Sequence, residues 1–231
     1  MRRAVIIDVV RSPFGKGREG GLLASVHPAD LYAQVLSELI HRTDVDPHLI
    51  EDVISGCVIQ VGEQSGNIGR QAALAAGLPE TTAAVTLDRK CGSAQQAMDF
   101  AAQGVIAGAY DAVIAGGVEM MSTVPMKANR MGKDNEGSMF HSRYPEGMIR
   151  QGISAELIAA RWNLSREDLD KFSLRSHKRA ASDVRRVNDM VTIDRPSRVD
   201  LKDESLRANT TIDKLASLAP AFIDELAYKR F

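Results

Sequence analysis

The stretch AAVTLDRKCGSAQQA, residues 83–97, joins a strand pattern to a helix pattern. Ala83–Leu87 is a short apolar run that predicts a strand, whereas Cys91–Ala109 is rich in alanine and predicts a long helix. Cys91 therefore falls after a strand, at the opening of a helix.

The same alternation of short apolar runs and helix-spaced segments extends through the first half of the chain. Strands are predicted at Ala4–Val10, Val53–Ile59, Ala83–Leu87 and Ala112–Ala115, and helices at Pro28–His41, Asn67–Ala76 and Cys91–Ala109. This order predicts an α/β fold with a mixed, mainly parallel sheet and helices on both faces. Working sites of such sheets lie beyond the carboxyl ends of the strands, which is where the cysteine at the helix opening falls.

The character of the sequence changes at Glu119, where a methionine-rich segment of poor periodicity begins. We expect an extended loop region there, followed by three helices and one short strand. The helices are predicted at Ser154–Trp162, Ser165–Val187 and Thr211–Leu218, and the strand at Met190–Ile193. Ser165 has the chemistry of a helix N-cap, with Asp168 at the third helical position. The sequence thus predicts two domains, residues 1–118 and 119–231.

Composition excludes several classes of function. Of the 231 residues, 29 are Lys or Arg and 30 are Asp or Glu, so the net charge of −1 provides no global attraction for nucleic acid or an anionic membrane. No segment approaches the ~20 apolar residues of a membrane helix, and the apolar run near the start is broken by Asp8, unlike an export signal. The 2 cysteines form no disulfide framework, so we expect a reducing, cytoplasmic location.

The two cysteines lie in different sequence contexts. A thiol in the first turn of a helix lies near unpaired amide groups and the positive end of the helix dipole, and both favour the thiolate. Cys91 would then be suited to attack an acyl thioester and hold the acyl group covalently. The alternative is a small apolar residue packed in a core. That alternative is the favoured interpretation of Cys57, which lies inside an apolar run.

These features coincide with motifs of a known family, and the chain is similar to thiolases along essentially its whole length. The resemblance is carried by motifs in the family's order: Arg11-Ser-Pro-Phe-Gly15, Asn67-Ile-Gly-Arg70 through Ala76-Gly-Leu-Pro79, Cys91-Gly-Ser-Ala-Gln-Gln-Ala97, Ala115-Gly-Gly-Val-Glu-Met-Met-Ser122, Trp162-Asn-Leu-Ser-Arg-Glu-Asp168 and Leu215-Ala-Ser-Leu-Ala-Pro-Ala-Phe222. A ketoacyl synthase of the same fold is less favoured, because the last two motifs resemble the thiolase loop domain.

The resemblance implies a function and a set of site residues. It implies the N-terminal α/β domain and loop domain of an acyl-CoA acyltransferase, with Cys91 as the acylated nucleophile. Gln151, Arg207, Lys214 and Phe222 fall where loop-domain residues line the coenzyme A pocket. The implied substrates are coenzyme A thioesters, with no permanently bound cofactor and no metal. The implied assembly is a dimer or tetramer.

The chain departs from the family pattern in two ways. Ala94 replaces the glycine that is usual in the nucleophile motif. These residues also contain no Gly-His-Pro histidine and no second catalytic cysteine, both of which belong to the family's C-terminal domain; we therefore expect that domain to be absent here. The 5 histidines lie in no matching motif and are predicted to be surface or capping residues. Two functions remain open: a thiolase, or a truncated, catalytically incomplete thiolase-like protein that binds acyl-CoA or a partner chain.

Overall fold

The computed structural model describes residues 2–183, 188–194 and 202–223. They form two compact units. The described residues of 1–131 and 185–205 belong to unit 1, and those of 132–184 and 206–231 belong to unit 2. The predicted division of the chain after residue 118 stays a prediction.

Unit 1 is built on a parallel sheet of three strands. They are β1 (Asp52–Gly56), β2 (Ala83–Leu87) and β3 (Val113–Gly117), arranged in the order β2-β1-β3. Both pairings are parallel, and Ile54 of β1 stands opposite Val85 on one side and Ala115 on the other. All the strand carboxyl ends therefore meet at one edge of the sheet.

The helices of unit 1 begin where their capping residues require. Helix α1 (Pro28–Thr43) starts after His27, whose Nδ1 accepts a hydrogen bond from the Ala29 amide. Helix α2 (Ile68–Ala75) starts after Asn67, whose side chain accepts from the Arg70 amide. Helix α3 (Ser93–Ala107) ends at Gly108 in the left-handed conformation.

The helices cover both faces of the sheet, as the sequence predicts. Neighbouring residues of β1 point to opposite faces. Val53 joins a buried cluster with Leu36 of α1 and Ala72 of α2. Ile54 instead packs with Ala97 of α3. The α/β class and its parallel sheet are confirmed.

The predicted first strand at Ala4–Val10 is wrong. These residues form no strand, and four of their five β-branched side chains are exposed, with Val5 80% exposed. A strand requires a hydrogen-bonded neighbour, and the nearest pairing is an isolated parallel bridge between Arg11 and Met190. The strand predicted at Met190–Ile193 is likewise reduced to this bridge.

Among the described residues, unit 2 consists of helices of 5 to 17 residues. They are α4 (Gly137–Arg143), α5 (Gln151–Arg161), α6 (Arg166–Ser182) and α7 (Ile212–Ala216). The predicted start of α6 is confirmed as a reciprocal capping box, in which the Ser165 side chain accepts from the Asp168 amide and the Asp168 side chain accepts from the Ser165 amide. Residues 184–187 at the end of the helix predicted from Ser165 lie outside the described residues. Within the described part of the chain, no helix is long and apolar enough to cross a bilayer.

A substitution on the buried face of α1 tests which residues form the core of unit 1. Leu36 is 2% exposed, so Leu36→Ala should lower the free energy of unfolding by about 2–5 kcal/mol, through lost apolar burial and the cavity left behind. Urea unfolding followed by circular dichroism measures this loss. The matched control is Leu49→Ala, because Leu49 is 59% exposed. Equal losses for the two variants would contradict the assignment of Leu36 to the core.

Candidate active site around Cys91

Cys91 lies in the turn that joins β2 to α3. The strand ends at Leu87 and the helix begins at Ser93. The cysteine side chain is exposed, and the next residue, Gly92, is the N-cap residue of α3. The sulfur is therefore accessible at the amide-rich start of a helix, at the carboxyl edge of the sheet.

Ser93 fixes the shape of this turn. Its Oγ accepts a hydrogen bond from the Arg89 amide at 2.8 Å and donates one to the Lys90 carbonyl at 2.6 Å. The backbone closes the same turn, because the Gly92 and Ser93 amides donate to the carbonyls of Arg89 and Lys90. Ser93 is 4% exposed, so the turn that carries Cys91 is anchored from its buried side.

Lys90 and Asp88 stabilise the exposed side of the turn. Lys90 has a φ of 51°, in the left-handed region that non-glycine residues rarely adopt. Asp88 accepts hydrogen bonds from the Lys90 amide at 2.7 Å and from its ammonium group at 2.5 Å. Partial burial opposes the charge on Asp88, but these hydrogen bonds and the ammonium charge outweigh it and lower the pKa of the carboxyl.

Gly56 lets the start of α3 lie directly on the end of β1. A Cβ atom at Gly56 would stand 2.5 Å from the Ala94 amide nitrogen and 2.6 Å from the Ser93 carbonyl carbon. Gly117 of β3 has a similar role, since its Cβ atom would stand 2.5 Å from the Gly56 carbonyl oxygen. Ala94 itself is exposed, so the methyl group that replaces the family's glycine does not enter the core.

Cys57 lies at the same edge of the sheet but in the opposite environment. Its amide donates to the Leu87 carbonyl at 3.1 Å, and its side chain is only 1% exposed. Burial, followed by the negative charge of Glu119, raises the pKa of the Cys57 thiol to about 12. Cys57 therefore stays a neutral thiol, and its predicted packed position is confirmed.

The other candidate residues all lie in unit 2, and all are exposed. Gln151 is the first residue of α5. The Phe222 ring packs on the neighbouring Gly152 so closely that a Cβ atom there would overlap it. The structure therefore brings Gln151 and Phe222 to the same end of α5.

Arg207 and Lys214 are placed by other contacts of unit 2. The Arg207 amide lies 3.3 Å from Nδ1 of His177 on α6. Lys214 lies in α7, where its amide donates to the capping hydroxyl of Thr211. Both residues are thus fixed through their backbones, while their cationic side chains remain exposed to solvent.

Sequence reasoning missed Arg166 and Asp170, which connect α6 to α7. The Arg166 Nε donates to both carboxylate oxygens of Asp170 at 3.0 Å. Its Nη2 donates to the carbonyls of Leu215 and Leu218 at 2.5 and 3.1 Å. The spacing of Arg166 and Asp170 suits a helical ion pair, but no sequence signal shows the bonds to the carbonyl groups.

The histidines have the predicted surface and capping positions. His27 caps α1 and His177 meets the Arg207 amide. His141 lies in a cluster with Asp134 and Glu136, whose ligand atoms are within 4.8 Å of one another on the surface. Asp134 already accepts from the Glu136 and Gly137 amides and pairs with the His141 ring. These hydrogen bonds give Asp134 a structural role, because they join the backbone at the start of α4 to the His141 ring in its last turn.

The contact at Gly56 generates a steric test. Gly56→Ala should push the first turn of α3 away from β1 and lower the free energy of unfolding by about 1–3 kcal/mol, because the clash is with backbone atoms. Urea unfolding measures this loss. In the comparison variant Gly92→Ala, the new methyl group meets only the Arg89 carbonyl oxygen at 3.6 Å, so a smaller loss is expected. A Gly56→Ala variant as stable as the wild type would refute the close approach.

The bonds between Asp88 and Lys90 generate a test of pH dependence. Because the folded-state pKa of Asp88 is lowered, its carboxylate stabilises the fold above the unfolded-state pKa, and this contribution is lost as the pH falls through the folded-state value. Asp88→Asn should therefore be less stable than the wild type at pH 7, and the difference should shrink below about pH 4. Urea unfolding of both proteins over a pH series measures it. A difference that does not depend on pH would contradict the role of the charge.

Comparisons with known proteins identify the family of the chain. The family model described as "Thiolase, N-terminal domain" matches residues 4–227. Steroid 3-ketoacyl-CoA thiolase FadA6 of Mycobacterium tuberculosis is 42% identical over 231 residues, covering 95% of this chain and 56% of the relative. A 3-ketoacyl-CoA thiolase of Shewanella denitrificans is 37% identical over 236 residues, covering 96% and 58%.

A solved structure gives the same result. The crystal structure of the Bacillus anthracis acetyl-CoA acetyltransferase matches with a TM-score of 0.79 and 36% identity, covering 97% of this chain and 60% of that one. The chain thus spans less than two thirds of the length of these relatives. The family match, the relatives and the fold agree, and the chain belongs to the thiolase family.

Proposed function

We propose that this chain is part of an acyl-CoA acyltransferase in which Cys91 forms an acyl-cysteine intermediate, in synthesis or thiolytic cleavage of β-ketoacyl-CoA. The observation that carries the proposal is the exposed Cys91 thiol at the start of α3, on a turn anchored by Ser93. The names of the relatives support this choice of substrate, because they are thiolases of 3-ketoacyl-CoA or acetyltransferases of acetyl-CoA.

The proposed chemistry uses the sulfur as a nucleophile. The Cys91 thiolate attacks the carbonyl carbon of an acyl-CoA, the bond from that carbon to the coenzyme A sulfur breaks, and coenzyme A leaves as a thiolate that takes up a proton. In synthesis, acetyl-CoA then loses an α-proton to a base, its α-carbon attacks the acyl carbon, and the bond from that carbon to the Cys91 sulfur breaks. In cleavage, the thiolate attacks the β-keto carbon, the bond between the α- and β-carbons breaks, and the α-carbon takes up a proton as acetyl-CoA leaves. The thiol of free coenzyme A then attacks the acyl carbon, and the bond to the Cys91 sulfur breaks.

The turn supports the first of these steps electrostatically. The start of α3 follows Cys91 directly, and we infer that its amide groups and the positive end of its dipole favour negative charge on the attacking sulfur. The ammonium group of Lys90, the residue before Cys91, is paired with Asp88. We infer that the backbone of the helix, more than the Lys90 charge, stabilises the negative sulfur.

We assign the binding of coenzyme A to exposed residues of unit 2. Arg207 suits a phosphate group or the adenine ring, because a guanidinium group provides both charge and a planar face. Gln151, Lys214 and Phe222 are assigned to the same ligand by family resemblance. The packing of Phe222 on Gly152 supports the assignment, because it fixes an aromatic ring next to Gln151.

A general base must come from residues outside these motifs. The 231 residues contain no Gly-His-Pro segment, and the only His-Pro pair, His27-Pro28, caps α1. We propose that this chain works as a homo-oligomer, a dimer or tetramer, or with a separate C-terminal thiolase chain that provides the base. Apolar side chains exposed on unit 1 support such a partner, including Ile7 at 79% and Ile106 at 51%.

The lack of a Gly-His-Pro segment in these 231 residues also favours a second candidate function. General acid and base groups each contribute roughly 10²–10⁴-fold to rate, so this chain without such a base would be catalytically incomplete. It would then be a thiolase-like protein that binds acyl-CoA or a partner chain. Acylation of Cys91 separates the two functions.

Mass spectrometry after incubation with acetyl-CoA tests the nucleophile. We expect one acetyl group on the peptide that contains Cys91, because this thiol is exposed. Cys57 is an internal control in the same molecule and should stay unmodified, since it is 1% exposed. Cys91→Ser should give no stable thioester adduct. Absence of an adduct on Cys91, with coenzyme A binding retained, would support the second function and refute the first.

A further inference from the structure

Arg166 makes an unusual set of contacts for a residue in the first turn of a helix. Its Nε donates to the Asp170 carboxylate, and its Nη2 donates to the backbone carbonyls of Leu215 and Leu218. A single side chain therefore joins α6 to the last turn of α7 and to the residues just after it. Only arginine has donors arranged in such a fixed fork.

The burial of Asp170 distinguishes this pair from an ordinary surface ion pair. The Asp170 side chain is 11% exposed, whereas the Arg166 side chain is 45% exposed. A buried carboxylate is costly unless it is paired, so removal of either partner is expected to disturb the contact. By comparison, Lys171 and Glu167 form a pair on the same helix with both side chains more than half exposed, and such pairs contribute little.

Helix α7 depends on this contact for its position. It spans only Ile212–Ala216, and a helix this short is marginal without packing. Thr211 caps the start of α7, and Leu215 is its buried residue. Arg166 donates to the carbonyls at and just beyond its end. The backbone that carries Lys214 and leads towards Phe222 is therefore held by α6.

We propose that Arg166 and Asp170 form a positioning clamp for the segment 207–222, so that its exposed side chains present a preorganised surface to coenzyme A. This inference rests on the proposed function, which assigns the same segment to coenzyme A. A ligand binds more tightly to exposed residues whose backbone is already fixed, because less conformational freedom is lost on binding. Arg166 is thus a positioning residue, which acts through α7.

The test compares the binding of coenzyme A with the reactivity of Cys91. For Arg166→Ala, we expect the dissociation constant of coenzyme A, measured by isothermal titration calorimetry, to rise by about tenfold. S-Acetyl-N-acetylcysteamine is an acetyl thioester that lacks the nucleotide. The rate at which it acetylates Cys91, followed by mass spectrometry, should stay unchanged, whereas the rate with subsaturating acetyl-CoA should fall.

Two further variants separate geometry from charge. Arg166→Lys keeps the positive charge, but one ammonium group cannot hold the Asp170 carboxylate and two carbonyls in a fork, so its affinity should resemble that of Arg166→Ala. The matched control is Arg175→Ala on the same helix. Arg175 lies over the Phe172 ring, and its removal deletes the same charge, so wild-type affinity is expected.

Each outcome decides the inference. Wild-type affinity in Arg166→Ala, restored affinity in Arg166→Lys, or an equal fall in both acetylation rates would overturn the clamp, while the proposed function would stand. If Arg166→Ala does not fold, as judged by circular dichroism, Asp170→Asn undergoes the same test, and unchanged coenzyme A affinity there would overturn the clamp. Failure of the wild-type chain to bind coenzyme A would instead overturn the proposed function, and the clamp with it.

Discussion

The candidate active-site region of unit 1 depends on the contact between the backbones of β1 and α3 at Gly56. The end of β1 and the start of α3 meet there with no side chain between them, so the first turn of the helix lies directly on the carboxyl edge of the sheet. Ser93 fills the remaining space from the helix side and closes the turn before it. Cys91 is exposed because the buried contacts of this junction are made by its neighbours, and the sulfur is left at the surface.

This junction also explains why two cysteines at one sheet edge differ in chemistry. Cys57 continues β1 beneath the turn, where burial and the nearby Glu119 charge disfavour its thiolate. Glu119 is itself held by the Val58 amide at 2.7 Å and by the Gln64 side chain at 2.9 Å. A negative charge fixed next to Cys57 keeps that thiol neutral, so the reactivity towards thioesters that we propose is confined to Cys91.

Sequence patterns predicted the elements of both units that depend on local periodicity or on capping residues. The strands β1, β2 and β3, the helices on both faces and the capping box of α6 follow from apolar spacing and capping chemistry. Ala4–Val10 has the composition of a strand but has no paired neighbour among the described residues, and pairing is a property of the whole sheet. Gly56 and Arg166 were missed for the same reason, since their roles depend on residues distant in sequence.

The candidate site residues are held in place differently in the two units. In unit 1, the turn that carries the candidate nucleophile is held by the Ser93 bonds within a few residues of it and by the distant contact at Gly56, and a sequence motif was enough to single out Cys91 as a candidate. In unit 2, the candidate side chains are exposed and their backbone is fixed from another helix, through Arg166, His177 and Gly152. Exposed residues carry little sequence signal of their own, so only resemblance to a family identifies them. Their supporting contacts are buried or geometrically demanding, and these contacts are where substitutions should separate binding from chemistry.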